Sequence, residues 1–442
     1  MHLTEKNKHV YCPAPFHEQM VDSDGSIKLC CTARHAIRND DGTEANITSN
    51  TLEEVWNNKH MQEIRQNMID GVKPANDMCE NCYASEKHSG VSSRQNELTE
   101  MNEIREELNE YVDTAIVEDL PDYYDLRFGN LCNLQCVMCD PHYSSRLMTE
   151  QEKILDLLKN NLEHINYELE KKYKEYYVWN KGEPEKYSWP ANNDIFNSIV
   201  DRMAKSNCRK VYVNGGEPTL HNESLTNMLN TLIESGQASD IELWLNTNAT
   251  IVDTNFYELL DEFKQIRLML SIDGIEESFE YIRNPAKWNI VDSNIKKIIN
   301  CVRNFENLSW KWRIEFHPTF QLLNLLDIDK MIEYWLDIRK DLPCYFNPVK
   351  LNDPSWYDVT IANTNIKNEI KKKLQSKFSS GDEELAKVTS YIISNLEHQE
   401  ADIENDRELL LRCAEDMHEI YRKTRNIEHL DGWFKSTISQ LK

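Results

Sequence analysis

The chain has 442 residues, 40% of them hydrophobic, with twelve cysteines and a formal net charge of −25. That length can bury a large core and predicts two or three domains, while the acidic balance argues against a bare nucleic-acid or anionic-membrane partner, which calls for a basic footprint. No apolar run approaches the roughly twenty residues of a spanning helix; together with the polar start MHLTEKNKH and cysteines grouped at ligand-like spacings, this predicts a reducing, cytoplasmic location.

The N-terminal segment YCPAPFHEQMVDSDGSIKLCC carries Cys12, then Gly25 in a turn-forming SDG, then Cys30 and Cys31. Alternating residues flank that turn, which predicts a β-hairpin. LEEVWNNKHMQEIRQNMIDG predicts a helix over 52–71, closed by Gly71 with Pro74 just beyond it. CENC then supplies Cys79 and Cys82, and two cysteine pairs of this kind can build a zinc knot. The polar run NELTEMNEIREELNEYV predicts a helical linker over 96–112.

The stretch CNLQCVMC places cysteines at 132, 136 and 139. Three thiolates at this spacing can hold three corners of a four-iron, four-sulfur cube and leave the fourth iron open, whereas structural zinc wants four ligands. VYVNGGEPTL (211–220) reads as a β-branched strand running into a glycine pair and a helix. Gly215 and Gly216 let backbone approach a ligand, Glu217 offers a carboxylate to an ammonium, and Pro218 suits a first helical turn. LWLNTNAT (243–250) and LMLSIDGIEESFEYIR (268–283) each begin apolar and end polar, as strands do when they deliver side chains to a site. Apolar runs recur near 123–128, 210–213, 241–245, 266–272, 312–316 and 344–349, with helical patterns such as 224–235 and 291–305 between them, which predicts parallel βαβ units.

LRFGNLCNLQCVMCDP resembles the opening of radical S-adenosylmethionine (SAM) enzymes, whose hallmark is Cys-x3-Cys-x2-Cys after the first barrel strand. The resemblance spans about 280 residues and implies an α/β fold, a partial (β/α)6 barrel with its site on the C-terminal face of the strands. It implies Cys132, Cys136 and Cys139 as ligands of a [4Fe-4S] cluster whose open iron chelates SAM. It further implies reductive cleavage to a 5′-deoxyadenosyl radical that abstracts hydrogen from a substrate. Gly215, Gly216, Glu217 and Pro218 correspond to the element that meets the amino group of SAM. Ser271 and Asp273 match positions near the ribose, Arg283 a partner for the carboxylate, and Asn248 a weaker contact. Met138 stands where the family usually has an aromatic residue near adenine, and its polarizable thioether can substitute.

The N-terminal pattern Cys-x12-Gly-x4-Cys … Cys-x2-Cys, with EVW and IR on the intervening helix, resembles the SPASM and twitch domains. These accompany radical SAM enzymes that modify peptides. The resemblance implies one auxiliary iron–sulfur cluster on Cys12, Cys30, Cys79 and Cys82, with Cys31 as an alternate. In the family this domain usually follows the barrel; here it precedes it.

About seventy residues separate the cysteine motif from strand two, roughly double an ordinary connection. Within them Tyr177, Trp179, Tyr187 and Trp189 could form a lid or pin an extended loop. His317 could reach the site or serve as a structural histidine. Cys208, Cys301, Cys344 and Cys413 are isolated and read as core residues. The expected organisation is an auxiliary cluster domain at 1–95, a linker at 96–118, the barrel at 119–351 with an insertion at about 149–195, and a helical region at 352–442 that breaks at SSGD (379–382). Three readings in two function classes, enzyme and electron carrier, follow. A radical SAM enzyme acting on a peptide or protein side chain stands first, one acting on a small metabolite such as a sugar or nucleotide second, and a non-catalytic iron–sulfur electron carrier third. The expected partners are that substrate and a reductant such as flavodoxin or ferredoxin, without a membrane or nucleic acid.

Overall fold

The computed structural model describes residues 5–75, 77–89, 92–108, 114–160, 171, 184–305, 308–378, 381–397 and 401–442. The chain divides into two compact units. The first comprises Met1–Asn130, Pro184–Trp244 and Glu262–Lys264; the second comprises Leu131–Glu183, Leu245–Asp261 and Gln265–Lys442.

In the first unit, β1 (Glu18–Val21) and β2 (Ile27–Lys28) form the expected antiparallel hairpin. Gly25 closes it at φ +78°, where a side chain would be strained. β1 pairs in parallel with β3 (Tyr123–Phe128), and β3 pairs in parallel with β4 (Lys210–Gly215). Strand side chains alternate between faces. Phe128, with Tyr124 and Leu126 on its face, packs edge-on against Trp189 at 5.9 Å and Phe196 at 5.3 Å. Phe196, Ile199, Val200 and Met203 form the buried stripe of helix Asn193–Lys205, whose start is capped by the Asn192 side chain. Burying each such apolar side chain contributes about 1.5–3 kcal/mol.

Around the N-terminal cysteines, the expected helix over 52–71 is two helices, Leu52–Trp56 and Lys59–Asp70. Asn58 interrupts the run because its side chain caps the second helix by accepting from Met61 N. Gly71 ends that helix at φ +72°, and a Cβ there would lie 2.2 Å from the Lys6 carbonyl oxygen. The linker is helical over Ser93–Leu108. Tyr187 and Trp189 sit buried in a 3-10 helix, Pro184–Ala191, and so pin the chain; Tyr177 and Trp179 lie outside the described residues.

β5 (Glu242–Thr247) begins in the first unit and ends in the second. The second unit contains β6 (Gln265–Leu270), β7 (Trp312–Phe316), β8 (Thr319–Phe320), β9 (Cys344–Phe346) and β10 (Val349–Lys350). β6, β7 and β9 pair in parallel in that order, and β8 pairs in parallel with β10. Helices Trp288–Val302 and Ile328–Ile338 cross between β6, β7 and β9, giving the α/β pattern expected of the barrel. All six strand-like runs of the sequence are strands. The C-terminal helices Ala401–Thr424 and Asp431–Leu441 belong to the same unit. Tyr281, on helix Glu276–Ile282, stacks on Phe434 at 5.1 Å and hydrogen-bonds His418 Nδ1 at 3.0 Å. Ser379 and Ser380 of the expected break lie outside the described residues. No helix among the described residues is long and apolar enough to cross a membrane.

Candidate functional site

The cysteine loop lies in the second unit, between the end of β3 and helix Ser145–Asn160. It is irregular, yet its main chain is fastened on both sides. Gln135 N donates to the Asn284 carbonyl at 2.6 Å, Val137 N to the Ile282 carbonyl at 2.9 Å, and Ser144 Oγ to the Leu134 carbonyl at 2.8 Å. Leu134 and Val137, the apolar residues of CNLQCVMC, are buried and anchor the turn. The Gln135 carbonyl accepts from Arg425 Nη1 at 2.8 Å, and the Gln135 side chain donates to Glu150 at 2.9 Å. Arg425 and Glu150 form a two-pronged pair, Nε–Oε1 and Nη2–Oε2 each 2.9 Å, with side chains 1% and 3% exposed. A residue of the C-terminal tail, where the sequence offered no readable chemistry, thus holds the cysteine loop.

Cys136 is buried, and Cys132 and Cys139 are partly exposed. Arg283 Nη1 lies 3.8 Å from Cys136 Sγ. Burial pushes the Cys136 thiol up, and the guanidinium opposes that rise. Arg283 Nε donates to Asp273 Oδ2 at 2.6 Å, and Thr319 N donates to Asp273 Oδ1 at 2.6 Å. Asp273, fully buried, is therefore occupied in orienting Arg283 and the start of β8. Asn248 accepts from Thr250 N and Oγ1 at 2.9 and 2.6 Å and donates to Asn133 Oδ1 at 2.9 Å, tying its turn to the cysteine loop. Ser271 is fixed through its backbone N–H to the Thr247 carbonyl at 2.9 Å. Met138 is half-buried on the loop. His317 is half-buried too, with its N–H on the Leu270 carbonyl, and burial lowers its pKa.

The remaining predicted SAM residues belong to the first unit. Gly215 ends β4 at φ +120°, and a Cβ there would lie 2.6 Å from Phe128 N, so the neighbouring strand itself demands glycine. Gly216 N donates to the Gly129 carbonyl at 3.0 Å. Glu217 is 1% exposed, its carboxylate accepting from Thr219 Oγ1 at 2.7 Å, and Pro218 opens a 3-10 turn, Pro218–His221.

The N-terminal cysteines line one cavity in the first unit. Cys12, Cys30, Cys31, Cys79 and Cys82 share it with Glu18, Thr32, Arg94, Glu97 and Tyr123. Thr32 Oγ1 lies 3.4 Å from Cys30 Sγ and 3.5 Å from Cys82 Sγ. Burial raises the Cys12 and Cys30 thiols and takes Cys79 to about 12. Among the described residues no cysteine belongs to a group of three ligating atoms within 4.8 Å of one another. Tetrahedral zinc at about 2.3 Å from each sulfur needs the sulfurs about 3.8 Å apart.

Comparison with known proteins gives two family matches. Residues 126–311 match the profile of the Radical SAM superfamily, and residues 12–83 match SPASM, an iron-sulfur cluster-binding domain. The chain thus carries a radical SAM domain over residues 126–311. More particularly, its SPASM domain lies ahead of the radical SAM domain, and the two domains imply a [4Fe-4S] cluster, SAM and auxiliary iron–sulfur binding. Among solved structures it is similar to anSMEcpe with bound AdoMet and Cp18Cys peptide, at 17% identity, 58% of this chain, 59% of that one and a TM-score of 0.36. It is also similar to Streptococcus suis SuiB bound to S-adenosylmethionine, at 13% identity, 79% and 68% coverage and a TM-score of 0.32. The methyltransferase TsrM from Kitasatospora setae matches at 13% identity, 42% and 33% coverage and a TM-score of 0.28. The chain spans 59% of the length of anSMEcpe. No curated protein matches it.

Proposed function

We propose that the protein is a radical SAM enzyme that abstracts hydrogen from a peptide or protein side chain. The observation that carries this reading is the clasped loop of Cys132, Cys136 and Cys139, with Arg283 beside Cys136. When bound, a [4Fe-4S] cluster bearing SAM on its open iron supplies one-electron cleavage to a 5′-deoxyadenosyl radical. The three thiolates hold that cluster, and Arg283, oriented by Asp273, offers a fixed cation to the SAM carboxylate. Gly215, Gly216, Glu217 and Pro218 correspond to the family element that meets the amino group of SAM. Asn248, Ser271 and Met138 flank the ribose and adenine.

Cys12, Cys30, Cys79 and Cys82 hold the auxiliary cluster, with Cys31 as an alternate. The peptide assignment is supported by the SPASM domain, which accompanies peptide modification in the family that the N-terminal cysteines resemble. A flavodoxin or ferredoxin supplies the electron. A reducing, cytoplasmic setting agrees with twelve free cysteines. The test is anaerobic reconstitution with iron and sulfide, then reduction in the presence of SAM. Release of 5′-deoxyadenosine is expected; a reduced, cluster-loaded protein that leaves SAM intact would be an electron carrier instead.

A further inference from the structure

One face of the first unit's sheet holds carboxylates without matching cations. The registers Glu18↔Tyr123 and Met20↔Asp125 place Glu18, Tyr123, Asp125 and Arg127 on the same face. Lys210, Tyr212 and Asn214 of β4 join them, opposite Tyr123, Asp125 and Arg127. The other face is filled by Phe128 and its aromatic neighbours, so this is the side without that packing.

Asp125 is fully buried. Its Oδ1 accepts one hydrogen bond, from Asn214 Nδ2 at 3.2 Å, and its Oδ2 has no hydrogen-bond partner. Glu18 is 3% exposed and opens into the cysteine cavity; among the described residues no hydrogen bond or ion pair reaches its carboxylate. The surrounding cations make their ion pairs with other carboxylates, although Arg127 and Lys210 still attract Asp125, and His17 and Lys210 attract Glu18. His17 lies between Asp122 at 3.1 Å and Glu97 at 3.5 Å, and Lys210 bonds Glu100 at 3.0 Å. Lys28 pairs with Asp22 at 2.6 Å, and Arg127 shares that same aspartate at 3.7 Å. Burial raises the Asp125 carboxyl to about 6 and Glu18 well above its usual range. Two buried carboxylates with one donor between them weigh against the folded state, and a ligand carrying donors and positive charge removes that cost.

We propose that Asp125 and Glu18 form a substrate-anchoring site for a cationic nitrogen group, the ammonium of a lysine or the guanidinium of an arginine side chain. The position suits a substrate of the radical SAM reading, on which this role rests. Asn214, bonded to Asp125, immediately precedes Gly215–Gly216–Glu217, and Glu18 borders the auxiliary cysteines. The anchored group would lie along the strand face from the one element to the other. The protein's net charge of −25 adds long-range attraction for such a ligand.

The test uses reconstituted holoenzyme and calorimetric titration with three probes: Nα-acetyl-arginine amide, Nα-acetyl-lysine amide and the neutral Nα-acetyl-citrulline amide. At least one cationic probe should bind about tenfold or more tightly than citrulline, and Asp125→Asn and Glu18→Gln should each remove most of that preference. Asp125→Asn should also melt at or above the wild-type temperature, because the amide relieves a buried charge. Equal binding of all three probes, or a preference that survives both substitutions, would overturn the site. A lowered melting temperature with the preference intact would make Asp125 a structural residue. Wild-type cleavage of SAM is measured in parallel: charge preference without cleavage sinks the enzymatic reading and keeps the site, and cleavage without preference does the reverse.

Discussion

The two cysteine sets of this chain sit in opposite electrostatic surroundings. Cys136 faces the Arg283 guanidinium, and the loop that carries it is gripped from behind by Arg425. The N-terminal cavity is bordered by Glu18 and Glu97, while its one arginine, Arg94, is spent on Glu86 at 2.6 Å and on the Tyr11 carbonyl at 2.8 Å. Iron–sulfur clusters with thiolate ligands are anionic, and nearby cations favour adding an electron whereas nearby carboxylates oppose it. On the proposed reading, clusters at the two sets would be tuned in opposite directions.

Removing single cysteines tests that contrast most strongly. Cys136→Ala should abolish 5′-deoxyadenosine release, whereas Cys82→Ala should retain it with a chemical reductant while losing the auxiliary spectral signal. If both substitutions abolish cleavage equally, the division of labour is wrong. The next effect concerns the grip on the loop. Arg425→Ala strands Glu150 in a buried position and should cost about 3–5 kcal/mol in urea unfolding. The same variant should make iron at Cys132, Cys136 and Cys139 more accessible to chelators and leave the N-terminal iron unchanged.

The smallest effect is the pH response of His17. Burial pulls its pKa down, but the Asp122 and Glu97 carboxylates outweigh that and lift it to about 9. Because the folded value exceeds the unfolded value of about 6.5, the stabilisation is complete below that pH and is lost as pH rises through 9. It amounts to about 3 kcal/mol at most. Urea midpoints at neutral and strongly alkaline pH should diverge in the wild type and converge in His17→Gln.

What the sequence disclosed, and what it did not, follows from the distance over which each feature is encoded. The cysteine triplet, the glycine pair before Glu217 and the six strands are local patterns: a spacing, a turn, an apolar run between breakers. The Arg425–Glu150 clamp joins residues 275 positions apart, and no local pattern announces it. Glu18 and Asp125 each look like one polar residue in an alternating strand. Only the register between β1 and β3 sets them on a common face. Asp273 was marked in the sequence by its match to a family position near the ribose, but its engagement with Arg283 and Thr319 depended on partners from two other segments. The hairpin around Gly25 was readable as a hairpin, though its docking onto β3 was not.

That docking bears on any attempt to trim the protein. Four consecutive register pairs, Glu18↔Tyr123 to Val21↔Leu126, cover one flank of β3. Deleting the first thirty or so residues to obtain a minimal catalytic fragment would uncover main-chain donors and acceptors along a strand with one apolar face, Tyr124, Leu126 and Phe128. Such a rim invites self-association. A shortened version should therefore accumulate as insoluble aggregate, and dissection of the two cysteine sites is better done by point substitution than by truncation.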